Sequence, residues 1–251
     1  TVTTIVFLFA GNMNAAESRA KTFQTGSFSS DPCWAKGQDR FLHLQPVGET
    51  GFFAAVVFDG HGQQGDFAAQ IAADMFLPSF NECLAMSEDI PSIIQECFAQ
   101  ITALICARQD ISGGTTASVV VYCPSGEVIL GWVGDSTMVW TDGNGPAVHQ
   151  TTNHNTTNVL ERERAFRGGN QNQGTINFTR IKVSAFGSKA SKQETEFTEP
   201  IARIGNGNGH GLAVSRSLGD KKHQKWGLSC IPEFLILPST PKILILASDG
   251  L

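Results

Sequence analysis

No run of lysine or arginine occurs in this 251-residue chain, and its formal net charge is −5. Both facts argue against a general nucleic-acid binder. No Cys-x-x-Cys pair occurs among the six cysteines, Cys33, Cys83, Cys97, Cys106, Cys123 and Cys230, most of which sit in apolar segments. They read as free, buried thiols of a reducing compartment, not as zinc ligands or disulfides. No segment reads as a membrane span: Val2 to Ala10 is apolar but short and has no basic flank, so it reads as a first strand. The sequons at Asn155 and Asn177 carry little weight without a secretory signal. The expected location is intracellular, cytoplasmic or nuclear. There is no phosphate-cradling Gly-x-x-x-x-Gly-Lys-[Ser/Thr], no Gly-x-Ser-x-Gly elbow and no internal repeat. The chain begins at Thr1 and stops at Leu251 after an apolar run and Asp-Gly, so a domain truncated at its C-terminus is expected.

What is present is a folded domain: 41% hydrophobic and 16% charged residues over a length that can bury a sizeable core. Gln38 to Leu44 alternates polar and apolar and pairs naturally as a hairpin with Phe52 to Phe58. Asp66 is positioned to cap a helix that Pro78 would end, and Ser87 or Asp89 to open a second with Pro91 in its first turn. Ile90, Ile94, Cys97, Ile101 and Ile105 recur at helical spacing and predict a core-facing stripe. Short strands follow at Thr115–Tyr122, Val128–Val133 and Thr137–Thr141, then a short helix near Asn158 to Phe166. Residues Gly168 to Gly211 are rich in Gly, Asn, Gln, Ser and Thr and read as a flap or insert. Phe234–Leu237 and Ile243–Ala247 are late strands. Two helices followed mainly by strands predict an α+β fold of helices on antiparallel sheet.

The most informative stretch is Ala54-Ala55-Val56-Val57-Phe58-Asp59-Gly60-His61-Gly62. A buried strand runs into a carboxylate, a glycine and an imidazole. A tight turn is one reading of it. The other is chemical: Asp59 is a hard oxygen donor for Mg²⁺ or Mn²⁺, and His61 a proton donor or acceptor near neutral pH. Asp39, Asp59, Asp135 and Asp249 all fall at strand ends. Gathered together they would repel one another unless cations neutralise them. A pair of divalent ions could then acidify a water in line with a phosphorus atom, and His61 could protonate the leaving alcohol. Competing phosphatase chemistries lack their residues: no cysteine has an arginine six residues on, and there is no Asp-x-Asp.

In order, Gly37-Gln38-Asp39-Arg40-Phe41, Val57-Phe58-Asp59-Gly60-His61-Gly62, Gly113-Gly114-Thr115-Thr116-Ala117 and Val133-Gly134-Asp135-Ser136 are followed by Arg164 with Gly168-Gly169. Then come Leu212-Ala213-Val214-Ser215-Arg216-Ser217-Leu218-Gly219-Asp220 and Leu246-Ala247-Ser248-Asp249-Gly250-Leu251. This series resembles the protein phosphatase 2C (PPM) family of metal-dependent Ser/Thr phosphatases, from about Phe23 to Leu251. The resemblance implies a four-layer αββα sandwich over a single catalytic domain, residues 1–251. It implies Asp59 bridging two Mg²⁺ or Mn²⁺ ions, the Gly60 carbonyl on the second, Asp249 on the first, Asp39 in the family's acidic pair with Gln38 in place of Glu, and Asp135 on a third, weaker ion. His61 matches the general acid, and Gly168 to Gly211 the flap beside the cleft. The implied substrate is a phosphoprotein, and no feature demands more than a monomer.

The departures are specific. Trp34 and Lys36 stand near the position of the family's phosphate-binding Arg, with Lys36 or Arg40 as possible stand-ins. Gln63 replaces a Gly, Asn153-His154 replaces Asp-His, and the family's last ligand, an Asp-Asn, would lie beyond Leu251. These departures keep a second reading open, a catalytically impaired pseudophosphatase acting as a binding or scaffold module. A calcineurin-like metallophosphatase fits less well, because Phe58 replaces its first Gly and no Val-Asp-Arg-Gly follows Asp135.

Overall fold

The computed structural model describes residues 2–9, 23–30, 37–143, 148–169, 176–179, 201–205 and 211–248. These fall into two compact units. The first comprises residues 1–153, 216–221 and 230–251; the second comprises 154–215 and 222–229.

The first unit carries two antiparallel sheets. One has seven strands: β3 (Asp39–Pro46), β4 (Phe53–Gly62), β5 (Gly113–Thr115), β6 (Ala117–Tyr122), β7 (Val128–Val133), β13 (Leu218–Gly219) and β14 (Glu233–Leu237). They lie in the order β13-β5-β4-β6-β7-β14, with β3 also paired to β4. The other has five, in the order β2 (Phe23–Ser30), β1 (Val2–Phe9), β15 (Ile243–Ala247), β8 (Thr137–Thr141) and β9 (His149–Gln150).

β4 shows why its sequence reads as a continuous apolar run. Side chains alternate across a strand, and here both faces are covered. Ala54, Val56 and Phe58 join one core cluster with helices α1 (Gly65–Leu84) and α2 (Ile90–Ala107). Ala55 and Val57 join a second cluster with Met138 of β8 and Leu244 and Leu246 of β15. Strands β6 and β7 divide their side chains in the same way. The order in this unit is therefore helical layer, seven-stranded sheet, five-stranded sheet, and the fold is α+β as expected. No second helical layer on the five-stranded sheet is found among the described residues of this unit.

The two helices differ in how closely their ends follow the sequence signals. α2 begins at Asp89, whose carboxylate accepts from the Ser92 amide at 3.2 Å, with Pro91 in the first turn. All five residues of its predicted stripe are buried. By length and composition α2 could cross a membrane, but its apolar face is committed to this core. α1 does not stop at Pro78: it runs on to Leu84 with the proline inside. An interior proline is normally costly, by about 3 kcal/mol. Phe80 and Cys83, beyond it, are buried in the same core as Phe76, and that burial favours continuing the helix. Asp66 lies in the first turn, where its charge suits the helix N-terminus, and the capping position belongs to Gln64.

The second unit holds α3 (Val159–Gly168), capped by the Asn158 side chain, and a three-stranded sheet of β10 (Ile176–Thr179), β11 (Ile201–Gly205) and β12 (Gly211–Leu212). Its buried cluster is small: Ala165, Ile204 and Trp226. A one-turn helix, α4 (Lys221–Gln224), lies where the chain passes from the first unit to the second. Most of the expected flap, Gly168 to Gly211, lies outside the described residues.

Truncating Ile101, which is fully buried, should cost about 2–5 kcal/mol of stability as Ile101→Ala. Leu104→Ala, at a position 42% exposed on the same helix, should stay within about 0.5 kcal/mol. Urea unfolding reads both. Equal losses would place the α2 interface elsewhere on the helix.

Candidate active site

The hairpin of β3 and β4 brings the first two carboxylates together. Asp39 and Asp59 are direct cross-strand partners in the register that also sets Phe41 against Val57. The Ser248 hydroxyl, at the end of β15, donates to Asp39 Oδ2 at 3.0 Å. The two sheets therefore meet at Asp39. Asp249 itself lies outside the described residues.

β4 turns into α1 through a contact only glycine permits. A Cβ on Gly60 would lie 2.2 Å from the Gly65 carbonyl oxygen and 2.7 Å from that of Gln38. The Gly60 amide donates to the Gln38 carbonyl at 3.3 Å, and the Gln38 side-chain amide donates to the Gly62 carbonyl at 3.1 Å. Backbone of three segments is thus packed against the Asp39–Asp59 pair.

Thr116 ties the third carboxylate to this corner. Its amide donates to the Asp59 carbonyl at 2.9 Å, and its Oγ1 accepts from the Asp59 amide at 3.1 Å. The same hydroxyl shares a 2.6 Å hydrogen bond with Ser136, next to Asp135. The Ser118 hydroxyl donates to the Ser136 carbonyl at 2.6 Å. These are buried, mutually satisfied hydroxyls, and they rigidify the turn between β7 and β8.

His61 faces this cluster. Its Nε2 is 2.6 Å from Asp220 Oδ2, with the two side chains 23% and 3% exposed. Burial, the largest influence, pulls the imidazole's proton affinity down. The hydrogen bond and charge of Asp220, then the charges of Asp59 and Asp135, outweigh it, and the net shift is upward from 6.5. Asp59, Asp135 and Asp220 are therefore all close enough to His61 for their charges to be felt there.

The donor chemistry fits divalent cations. Asp39, Asp59 and Asp135 supply hard carboxylate oxygens, Gly60 supplies a backbone position stripped of bulk, and no cysteine is among the described residues of the cluster.

The sequence pattern of the family described as Protein phosphatase 2C matches residues 38–251. The chain belongs to the protein phosphatase 2C family. Its fold is that of several solved structures. A C. elegans sex determining protein aligns with a TM-score of 0.64 at 23% identity, over 86% of this chain and 49% of that one. The Toxoplasma gondii serine-threonine phosphatase 2C aligns at 0.61 and 20%, over 86% of this chain and 74% of that one. A bacterial serine phosphatase aligns at 0.51 and 18%, over 86% and 74%. This chain therefore spans about half the length of the nematode protein. No curated protein matches the sequence.

Within this phosphatase 2C chain the motif residues separate into those at the site and those that build it. Asp39, Asp59, Gly60, His61 and Asp135 belong to the corner just described. Arg40, one candidate for holding a substrate phosphate, is engaged elsewhere: its Nε donates to Gln70 at 2.6 Å and its Nη1 to the Gly37 and Asp39 carbonyls. Lys36 and Trp34 lie outside the described residues. Arg164 is a latch of the second unit, bonded to Glu161, to the Gly227 carbonyl at 3.1 Å and to the Ser215 carbonyl at 2.7 Å. Asn153 accepts from Thr137 at 3.1 Å, which anchors the start of β8.

Asp220 is the residue that sequence reasoning missed. The sequence resemblance includes its segment but assigns no role to the carboxylate. The available signal was a Gly-Asp, Gly219-Asp220, echoing Gly134-Asp135.

A raised folded-state pKa means that the folded protein binds the His61 proton more tightly than the unfolded chain. In chelator, stability from this group should be fully present below pH 6.5 and should fade as the pH rises through the folded value. Urea midpoints for the parent and His61→Gln should therefore converge with rising pH. A gap that widens instead contradicts the sign.

Proposed function

We propose that the protein is a Mg²⁺- or Mn²⁺-dependent phosphatase that hydrolyses phosphoserine and phosphothreonine in proteins. The observation that carries this reading is the Asp39–Asp59 cross-strand pair, with Asp59 and Asp135 both within electrostatic reach of His61, in a chain of the protein phosphatase 2C family. Asp39, Asp59, the Gly60 carbonyl and Asp135 are the groups that would hold the ions, joined by Asp249 by resemblance. Bound there, a cation pair supplies the positive charge that acidifies a water and neutralises the phosphoryl oxygens.

The chain's own residues have two tasks. The carboxylates and the glycine corner fix where a phosphate can sit, so attack is in line. His61 carries the proton that the leaving oxygen needs. A water oxygen bonds to phosphorus as the ester P–O bond breaks, and the bonding pair leaves on the serine or threonine oxygen. That oxygen takes the proton from His61, and His61 and the departing phosphate then exchange protons with solvent. No side chain forms a bond to phosphorus, consistent with the lack of a cysteine or Asp-x-Asp nucleophile.

The scaffold reading keeps one specific support. Arg40 commits its Nε to Gln70 and its Nη1 to two carbonyls, which supports a site without the family's phosphate-binding guanidinium. Turnover of a phosphothreonine peptide by the full-length natural protein, with MnCl₂ and with EDTA, separates the two readings. Mn²⁺-dependent turnover that Asp59→Ala reduces to background is expected. Calorimetric Mn²⁺ binding without turnover would favour the scaffold.

A further inference from the structure

The 2.6 Å contact between His61 and Asp220 spans three strands. His61 on β4 pairs with Gly114 on β5, and Gly114 pairs with Gly219 on β13. Asp220 follows directly, so its carboxylate must cross over residue 114 to reach the imidazole. It does so because residue 114 has no side chain: a Cβ there would lie 2.2 Å from Asp220 Oδ2. The crossing is held on all sides. The Asp220 amide donates to the Gly113 carbonyl at 3.0 Å, and the Ser217 hydroxyl donates to the same Oδ2 at 2.6 Å. Asp220 also has a φ of +46°, the only positive value at a non-glycine among the described residues. A residue kept in that region, buried and aimed at one imidazole, points to a role through that imidazole.

We propose that Asp220 is a positioning residue for His61: reaching over Gly114 and braced by Ser217, it fixes the imidazole through Nε2 so that the ring is held ready for the leaving oxygen. Asp220 bonds to His61, Ser217 and the Gly113 carbonyl, and in this proposal it acts only through His61. The inference rests on the reading of His61 as general acid.

The consequence is a dependence on the leaving group. A p-nitrophenolate departs with little help, whereas a threonine alkoxide needs its proton. Asp220→Gly removes the carboxylate at a φ that glycine adopts freely, so the backbone is not strained by the change. Asp220→Asn, also tolerant of that φ, restores one oxygen acceptor. The measured quantity is the ratio of kcat on p-nitrophenyl phosphate to kcat on a phosphothreonine peptide, in the full-length natural protein with saturating Mn²⁺. Asp220→Gly should raise it about tenfold or more, below the roughly 10²–10⁴ ascribed to a whole general acid. Asp220→Asn should return part of the way. Added to His61→Ala, Asp220→Gly should raise the ratio no further, because its effect passes through the missing ring.

Equal losses on both substrates, or effects that multiply in the double variant, would overturn the inference. If His61→Ala moves the ratio and Asp220→Gly does not, the inference falls alone. If His61→Ala leaves the ratio unmoved while turnover stays Mn²⁺-dependent, the general-acid reading falls and takes the inference with it. Should Asp220→Gly not fold, Ser217→Ala loosens the brace and keeps the carboxylate. It should raise the ratio in the same direction by a smaller factor, and equal loss on both substrates would again overturn the inference.

Discussion

Negative charge at the end of the β3–β4 hairpin is the constraint from which the rest of the site follows. Asp39 and Asp59 are cross-strand neighbours, where like charges are destabilising, and Asp135 and Asp220 add carboxylates within reach of the same imidazole. Gathering acids in this way costs stability unless positive charge offsets it. The core provides the rigidity to hold them together: β4 is covered on one face by α1 and α2 and on the other by β8 and β15. Its end cannot drift away from the repulsion.

Hydroxyls and glycines do the remaining work. Thr116, Ser118 and Ser136 connect the Asp59 strand end to the Asp135 turn, and Ser248 connects Asp39 to the end of β15. None of these groups is charged, so they orient the acids without neutralising them. Gly60 and Gly114 act by what they lack: the first lets β4 pack on the start of α1, and the second leaves a passage for Asp220.

Much of this could be read from the residues alone. Alternation in Gln38 to Leu44 and the apolar run into Asp59 implied a hairpin with acids at its ends, and the register sets those acids opposite each other. The isoleucine stripe of α2 followed from helical spacing. Pro78 misled because local propensity is a weak force beside the burial of Phe80 and Cys83. Asp220 was missed for a different reason. Its partner lies 159 residues away in sequence, and only strand order brings β13 within one strand of β4. Spacing rules describe neighbours along an element, not residues two strands apart.

The proposed function requires these acids to converge on paired divalent ions. Titrating the metal-free, full-length natural protein with Mn²⁺ under electron paramagnetic resonance tests it most directly. An exchange-coupled signal from two neighbouring ions that disappears in Asp59→Asn is expected. A spectrum of isolated Mn²⁺ only, unchanged by that substitution, would contradict it.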